Sequence, residues 1–230
     1  MNDEHTATAR LLWEPRTTAA RGPKPTLDLE RIARAGIGVA DSEGLAAVSM
    51  QRVAAQLGVT KMALYRYVPG KAELVAVMVE TAISDPPEPV EQDWRGRLDA
   101  WARALAEVFD GHPWLLDATI GPRVMGPVEL GWLERAVAAL DGTGLTGPER
   151  MDAAVLLTGH VRSLAQQARA SGPGAEAQLG ALLAELMRTH GSRFPALTAA
   201  LADSGGRDQA WEFGLRRILD GLAVLIDDRA

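Results

Sequence analysis

The chain has 230 residues, 47% of them hydrophobic, no cysteine and a formal net charge of -6. The length allows one large core or two modest ones. The missing thiols exclude disulfides and thiolate metal sites, and the acidic balance excludes a general affinity for polyanions. Alanine and leucine dominate, and with only 2 Tyr and 3 Phe the composition favours helices over sheets.

Residues 1–26 read as an N-terminal arm without sustained periodicity, and composition assigns no role to its Trp13. The stretch RGPKP, from Arg21 to Pro25, is stiff, basic and unfit for a helix. Arg21 and Lys24 are candidates for contact with a DNA backbone or minor groove; a solvated tail is the competing reading. From Asp28 to Glu43, Leu29, Ile32, Ala33, Ala35, Gly36, Val39 and Ala40 recur at helical spacing, and Gly44 ends the run. Ser49 is a good N-cap for a short helix to Leu57, Gly58 breaks it, and Thr60 caps another reaching about Tyr67. Pro69-Gly70 breaks the chain again, and Lys71 opens a helix to about Ser84. DPPEP, Asp85 to Pro89, is a linker, which bounds a first domain at 27–84 and a second at 90–230.

The second domain is helical throughout by pattern. Trp94, Leu98, Trp101, Leu105 and Phe109 share a face. A shorter segment runs from His112 to Thr119, and Pro127 opens a helix to about Asp141. Thr146 and Glu149 form a capping box for a long helix to about Ala170. Helices from Ala175 to His190 and from about Asp208 to Asp227 complete an all-α chain with no strand and no repeat.

Charge is unevenly distributed. Residues 1–83 hold ten Lys/Arg against nine Asp/Glu, and residues 84–230 hold 14 against 21. Gly44 to Ala72 contains no acidic residue, so Arg52, Lys61, Arg66 and Lys71 stand unopposed in the sequence. Two short helices joined at a glycine have the pattern of a helix-turn-helix. Ala54 is small where the two helices cross, and Val53, Leu57, Val59 and Leu64 lock the pair inward. That gives Gln51, Lys61, Met62, Ala63, Tyr65 and Tyr67 outward freedom, beside the capping Thr60. Cations, hydroxyls and an apolar tip on a short helix suit a DNA major groove. Lys71 opposes the partial positive charge of its own helix start, and a nearby phosphate resolves that conflict.

At MQRVAAQLGVTKMALYRYVPGKAEL the chain resembles the DNA-binding domain of TetR-type transcriptional regulators. HPWLL, GTGLT and WEFGLRRILDGL resemble the C-terminal domain of an actinobacterial-type subgroup. The resemblance implies a three-helix N-terminal DNA-binding domain with a helix-turn-helix, and a helical C-terminal ligand-binding and dimerisation domain. It implies a homodimer that represses from a palindromic DNA operator until a small-molecule effector releases it. Gly70 departs from the usual asparagine or serine before Lys71, a weaker cap by a few tenths of a kcal/mol, roughly.

Trp101, Phe109, Trp114, Met125, Trp132 and His160 are candidates for the lining of an effector cavity, with ordinary core as the alternative for each. His160 and Arg162 lie in an apolar helix and need partners: a ligand, the twin subunit or Gln166. Trp211, Leu215, Ile218, Leu222 and Leu225 form a 4-3-4-3 stripe, as do Met151, Val155, Thr158 and Arg162. Such stripes suit a four-helix dimer bundle or intramolecular core. Met78 is the candidate coupling contact on the helix that joins reader to ligand domain. Four scattered histidines give no metal-site spacing, no phosphate loop or nucleophile motif appears, and no cofactor is expected. The alternatives are a ligand-independent DNA-binding regulator or activator and, more distantly, an enzyme. Without an apolar run of 18 residues or a signal-like N-terminus, the expected location is the cytoplasm.

Overall fold

The computed structural model describes residues 3–14, 27–88, 90, 93–171, 174–203 and 210–229. Among these there is no strand. Nor is any helix long and apolar enough to cross a membrane. Arg21 and Lys24 lie outside the described residues.

The helices are α1 (Asp3–Trp13), α2 (Leu29–Glu43), α3 (Met50–Leu57), α4 (Lys61–Tyr65), α5 (Lys71–Ile83) and α6 (Trp94–Gly111). They continue as α7 (Leu115–Ala118), α8 (Pro127–Ala138), α9 (Gly147–Ser171), α10 (Ala175–His190), α11 (Pro195–Asp203) and α12 (Ala210–Asp227). Capping signals set five of these starts. Asp28, Ser49, Thr60 and Asp93 each accept a backbone N–H from the first turn. Thr146 and Glu149 make the expected capping box, with the Thr146 N–H donating to Glu149 Oε2 at 2.8 Å.

Two elements depart from the sequence expectation. Residues 3–13 of the supposed arm are helical, and α1 packs on α5. Its Thr8 is buried and donates to Glu73 Oε1 at 3.4 Å, while Trp13 Nε1 donates to the Met125 carbonyl at 3.0 Å. Residues 195–203 add α11, which with α10 stands against the turn Gly191–Arg193.

One continuous core runs through both domains. α2 crosses α5 where Gly36 faces Met78; a Cβ on Gly36 would lie 2.6 Å from the Met78 sulfur. The two domains are also tied by directed bonds. Asp41 of α2 accepts from Trp114 Nε1 at 2.7 Å and stands 2.8 Å from His112 Nδ1. Glu80 of α5 accepts from the Val128 and Glu129 N–H groups at 2.8 and 3.0 Å, so a side chain of α5 caps α8. A Cβ on Gly126 would collide with that carboxylate.

The weak cap at Gly70 has a spatial reason. A Cβ there would lie 2.9 Å from Glu73 Oε2, whose carboxylate is buried under Thr8. The glycine makes room for a carboxylate folded back over the start of α5.

Candidate DNA-reading surface and effector cavity

The reading surface is built on α3 and α4. Gly58 follows α3 in the left-handed region at φ 67 and ψ 29, which a glycine enters without penalty. Val59 then donates to the Ala54 carbonyl at 3.0 Å, closing the turn over the small residue at the crossing. Val53, Ala54 and Leu64 are buried, and α2 packs on α3. The inward half of the motif is therefore as the spacing predicts.

The outward half is placed residue by residue. Gln51, Lys61, Tyr65 and Lys71 are exposed, and Met62 is 73% exposed. The Lys61 ammonium sits 5.5 Å from the Tyr65 ring centroid, a cation–π pair one helical turn apart. Ala63 is half buried. Thr60 is exposed, but its hydroxyl oxygen already accepts the Ala63 N–H at 3.2 Å. Tyr67 does not have the outward freedom its position suggests: it is half buried and packs against the core. Arg52 is not unopposed either, because it pairs with Glu43 at the end of α2.

The cavity lies between α6, α8 and α9 and has a volume of about 430 Å³. Of the six expected lining residues it holds Trp101, Phe109, Met125 and Trp132. Trp101 and Trp132 meet at 6.1 Å and 60°, and Trp101 Nε1 donates to the Trp132 carbonyl at 3.0 Å. Trp132 Nε1 donates in turn to the Ser84 carbonyl at the end of α5, at 2.9 Å.

Trp114 and His160 do not line it. Trp114 is buried with its N–H on Asp41, where it joins the two domains. His160 stacks on Trp211 at 5.8 Å and 24°, in the contact between α9 and α12. A Cβ on Gly214 would collide with the imidazole, so a glycine on α12 makes room for it.

The polar lining was largely missed in the sequence. Arg123 and Glu129 pair, with Arg123 Nη1 donating to Oε2 at 2.6 Å. Arg162 donates to Thr119 Oγ1 at 2.6 Å and to the Leu116 carbonyl at 2.7 Å, not to Gln166. Its guanidinium lies 5.4 Å from the Phe109 ring centroid. Burial, and then the positive charge of Arg123, push its pKa below the ordinary arginine value. A second hollow of about 540 Å³ shares Trp101 but lies under the linker, where Arg135 is paired with Glu88 at 3.1 Å. Among the described residues no cluster of His, Asp or Glu is arranged to hold a metal ion.

Comparison with known proteins assigns both halves. Residues 32–78 match the family described as bacterial regulatory proteins, tetR family, and residues 86–226 match the tetracyclin repressor-like C-terminal domain. The chain is 37% identical to the HTH-type transcriptional repressor DrrR1 of Streptomyces coeruleorubidus, over 96% of this chain and 87% of that protein. It superposes on apo ActR of Streptomyces coelicolor with a TM-score of 0.77 at 26% identity, covering 90% of this chain and 100% of that one. The same protein in complex with actinorhodin gives a TM-score of 0.76 at 25% identity, covering 87% and 97%. With family matches over residues 32–78 and 86–226 and a relative matched over 87% of its length, the chain belongs to the TetR family of DNA-binding transcriptional regulators.

Proposed function

We propose that the protein is a cytoplasmic, dimeric repressor that holds a palindromic operator and releases it when a small molecule occupies the cavity around Trp101 and Trp132. The observation that carries this reading is α5. The helix begins at Lys71, close after the reading helix, and ends at Ser84 on the indole of a cavity residue. DrrR1 is named a repressor, and ActR has been solved with actinorhodin; both support the reading.

In this scheme Lys61, Tyr65 and Lys71 meet phosphates, and Gln51 and Met62 meet base edges. Thr60 caps α4 and turns its remaining hydroxyl proton outward, Ala63 permits close approach, and Tyr67 holds the turn that leads to Lys71. No carboxylate pairs with Lys61, Arg66 or Lys71 among the described residues, which leaves their charge for DNA. A palindromic site recovered by selection from random duplexes supplies the test. Lys61→Ala and Lys71→Ala should each weaken binding to site and scrambled DNA alike and lower the salt slope by about one unit. Met62→Ala should instead cost about 1–3 kcal/mol at particular base pairs. An unchanged slope in both lysine variants, measured by anisotropy at several salt concentrations, would reject the phosphate assignment.

The dimer is proposed through α9 and α12, with a revision of the stripe that suggested it. Leu215 and Leu222 are buried within the chain, with Trp211, Ile218 and Leu225 packed half buried beside them, and α12 packs on α9. The apolar surface left open on these helices is Met151, Val155 and Leu156 of α9, with Phe213 at 66% and Val224 at 62% exposure on α12. Such surface calls for a partner. Light scattering at micromolar concentration should give twice the 24.5 kDa chain mass. A monomeric mass would reject the interface, and with it the paired half-sites about 34–36 Å apart that a palindrome requires.

A further inference from the structure

The cavity is largely apolar, yet among the described residues no carboxylate forms an ion pair with its Arg162. Arg162 has two contacts that fix it, and both acceptors are neutral: the Thr119 hydroxyl and the Leu116 carbonyl. The nearby carboxylates are already engaged. Glu129 pairs with Arg123, Asp117 pairs with Arg169 at 2.7 Å, and Glu80 accepts the N–H groups that open α8. Among the residues lining the cavity, two guanidinium groups therefore face one carboxylate. Taking the half-buried guanidinium out of water disfavours its charge, and burial followed by the positive charge of Arg123 outweighs the attraction of Asp117 and Glu129, so its pKa is lowered. Holding α9 to the turn at residues 116–119 requires donors but no charge.

We infer that the effector is an aromatic acid, and that Arg162 receives its carboxylate or ionised phenol while Trp101, Trp132 and Phe109 hold its flat body. The inference rests on the reading of the cavity as an effector site. Guanidinium is suited to the task because its planar fork accepts a carboxylate through two parallel bonds, and a charge-assisted bond is about twice as strong as a neutral one. A neutral carbonyl on the ligand would fill a donor but leave the charge uncompensated. The position over the Phe109 face, 5.4 Å from the centroid, keeps the fork beside the surface on which an aromatic ligand would lie. The volume of about 430 Å³ falls within the usual range for small-molecule sites, about 300–1,000 Å³. Arg162 would then be a specificity-determining residue, selecting acids from aromatic compounds of the same shape.

The test uses a matched pair of probes, anthraquinone-2-carboxylate and anthraquinone-2-carboxamide, titrated calorimetrically into the full-length protein. The expected result is that the acid binds about tenfold more tightly than the amide. Arg162→Gln should abolish that preference by weakening the acid more than the amide, and Arg162→Lys should retain part of it. Equal binding of the two probes by the parent protein would overturn the inference while leaving the effector cavity in place. A preference for the acid that persists in Arg162→Gln would overturn the role of Arg162. Binding of neither probe would overturn the cavity reading and this inference together. If Arg162→Gln fails to fold, the parent comparison and Arg162→Lys still decide.

Discussion

Replacing Met78 by alanine is expected to lower the unfolding free energy by about 2–5 kcal/mol, read from the midpoint of urea denaturation. Met78 is fully buried, and its sulfur lies against Gly36 where α2 crosses α5. Truncation removes buried apolar surface and leaves a hole at a backbone crossing, where neighbouring side chains have little freedom to collapse. Gly36→Ala should cost about 1–3 kcal/mol by the opposite route, because its methyl group would sit 2.6 Å from the sulfur. The two changes should compensate in the double variant, where the new methyl enters the space the sulfur has left. The expected non-additivity is about 0.5–3 kcal/mol. Strictly additive costs would show that the two residues do not share this contact. Met78 thus packs within the reader at the α2–α5 crossing.

The reader was legible because its signals are local. Ser49, Gly58 and Thr60 each act on a backbone group within four residues, so spacing alone locates α3, the turn and α4. The features that were not legible depend on residues distant in sequence. Nothing within α1 announces that Thr8 will meet Glu73 or that Trp13 will meet the Met125 carbonyl, 65 and 112 positions away. Trp114 and Trp132 look alike as aromatic residues on helical faces. One turns its N–H to Asp41 and becomes a tie between domains; the other turns its N–H to Ser84 and becomes a cavity wall. Periodicity also shows that α12 has an apolar stripe, but not whether α9 of the same chain or a second copy covers it. In the structure Leu215, Leu219 and Leu222 are buried within the chain. The unopposed run of cations was overstated for the same reason, because the partner of Arg52 lies one residue before the acid-free segment begins.

Glu80→Ala is expected to reduce the coupling between effector and operator while leaving the reader folded. Glu80 lies on α5, and its carboxylate caps α8 through Val128 and Glu129, the second of which lines the cavity. A ligand that shifts Glu129 therefore acts on Glu80, and one that shifts Trp132 acts on Ser84, both near the end of the helix that begins at Lys71. Burial raises the Glu80 pKa above its ordinary 4.5 even against two N–H donors. Because the folded value is the higher one, the charged carboxylate is held at a cost at neutral pH. That cost is relieved as pH falls through the raised folded value toward 4.5. Such a contact, held against its own desolvation, is suited to exchange between two arrangements. Coupling free energies of this kind are about 1–3 kcal/mol, and they are reciprocal: an effector that weakens operator binding is weakened by the operator in equal measure. The measurement is a four-way cycle, with effector affinity determined with and without operator for the parent and for Glu80→Ala. The parent should show the full ratio. The variant should bind effector in the absence of DNA within about a few-fold of the parent, with the ratio reduced toward one. Met78→Ala serves as the control, since it lowers stability at the α2–α5 crossing without touching the cap on α8. An unchanged ratio in Glu80→Ala would show that the signal passes from cavity to reader by another contact, the Trp132 bond to Ser84 being the next to test.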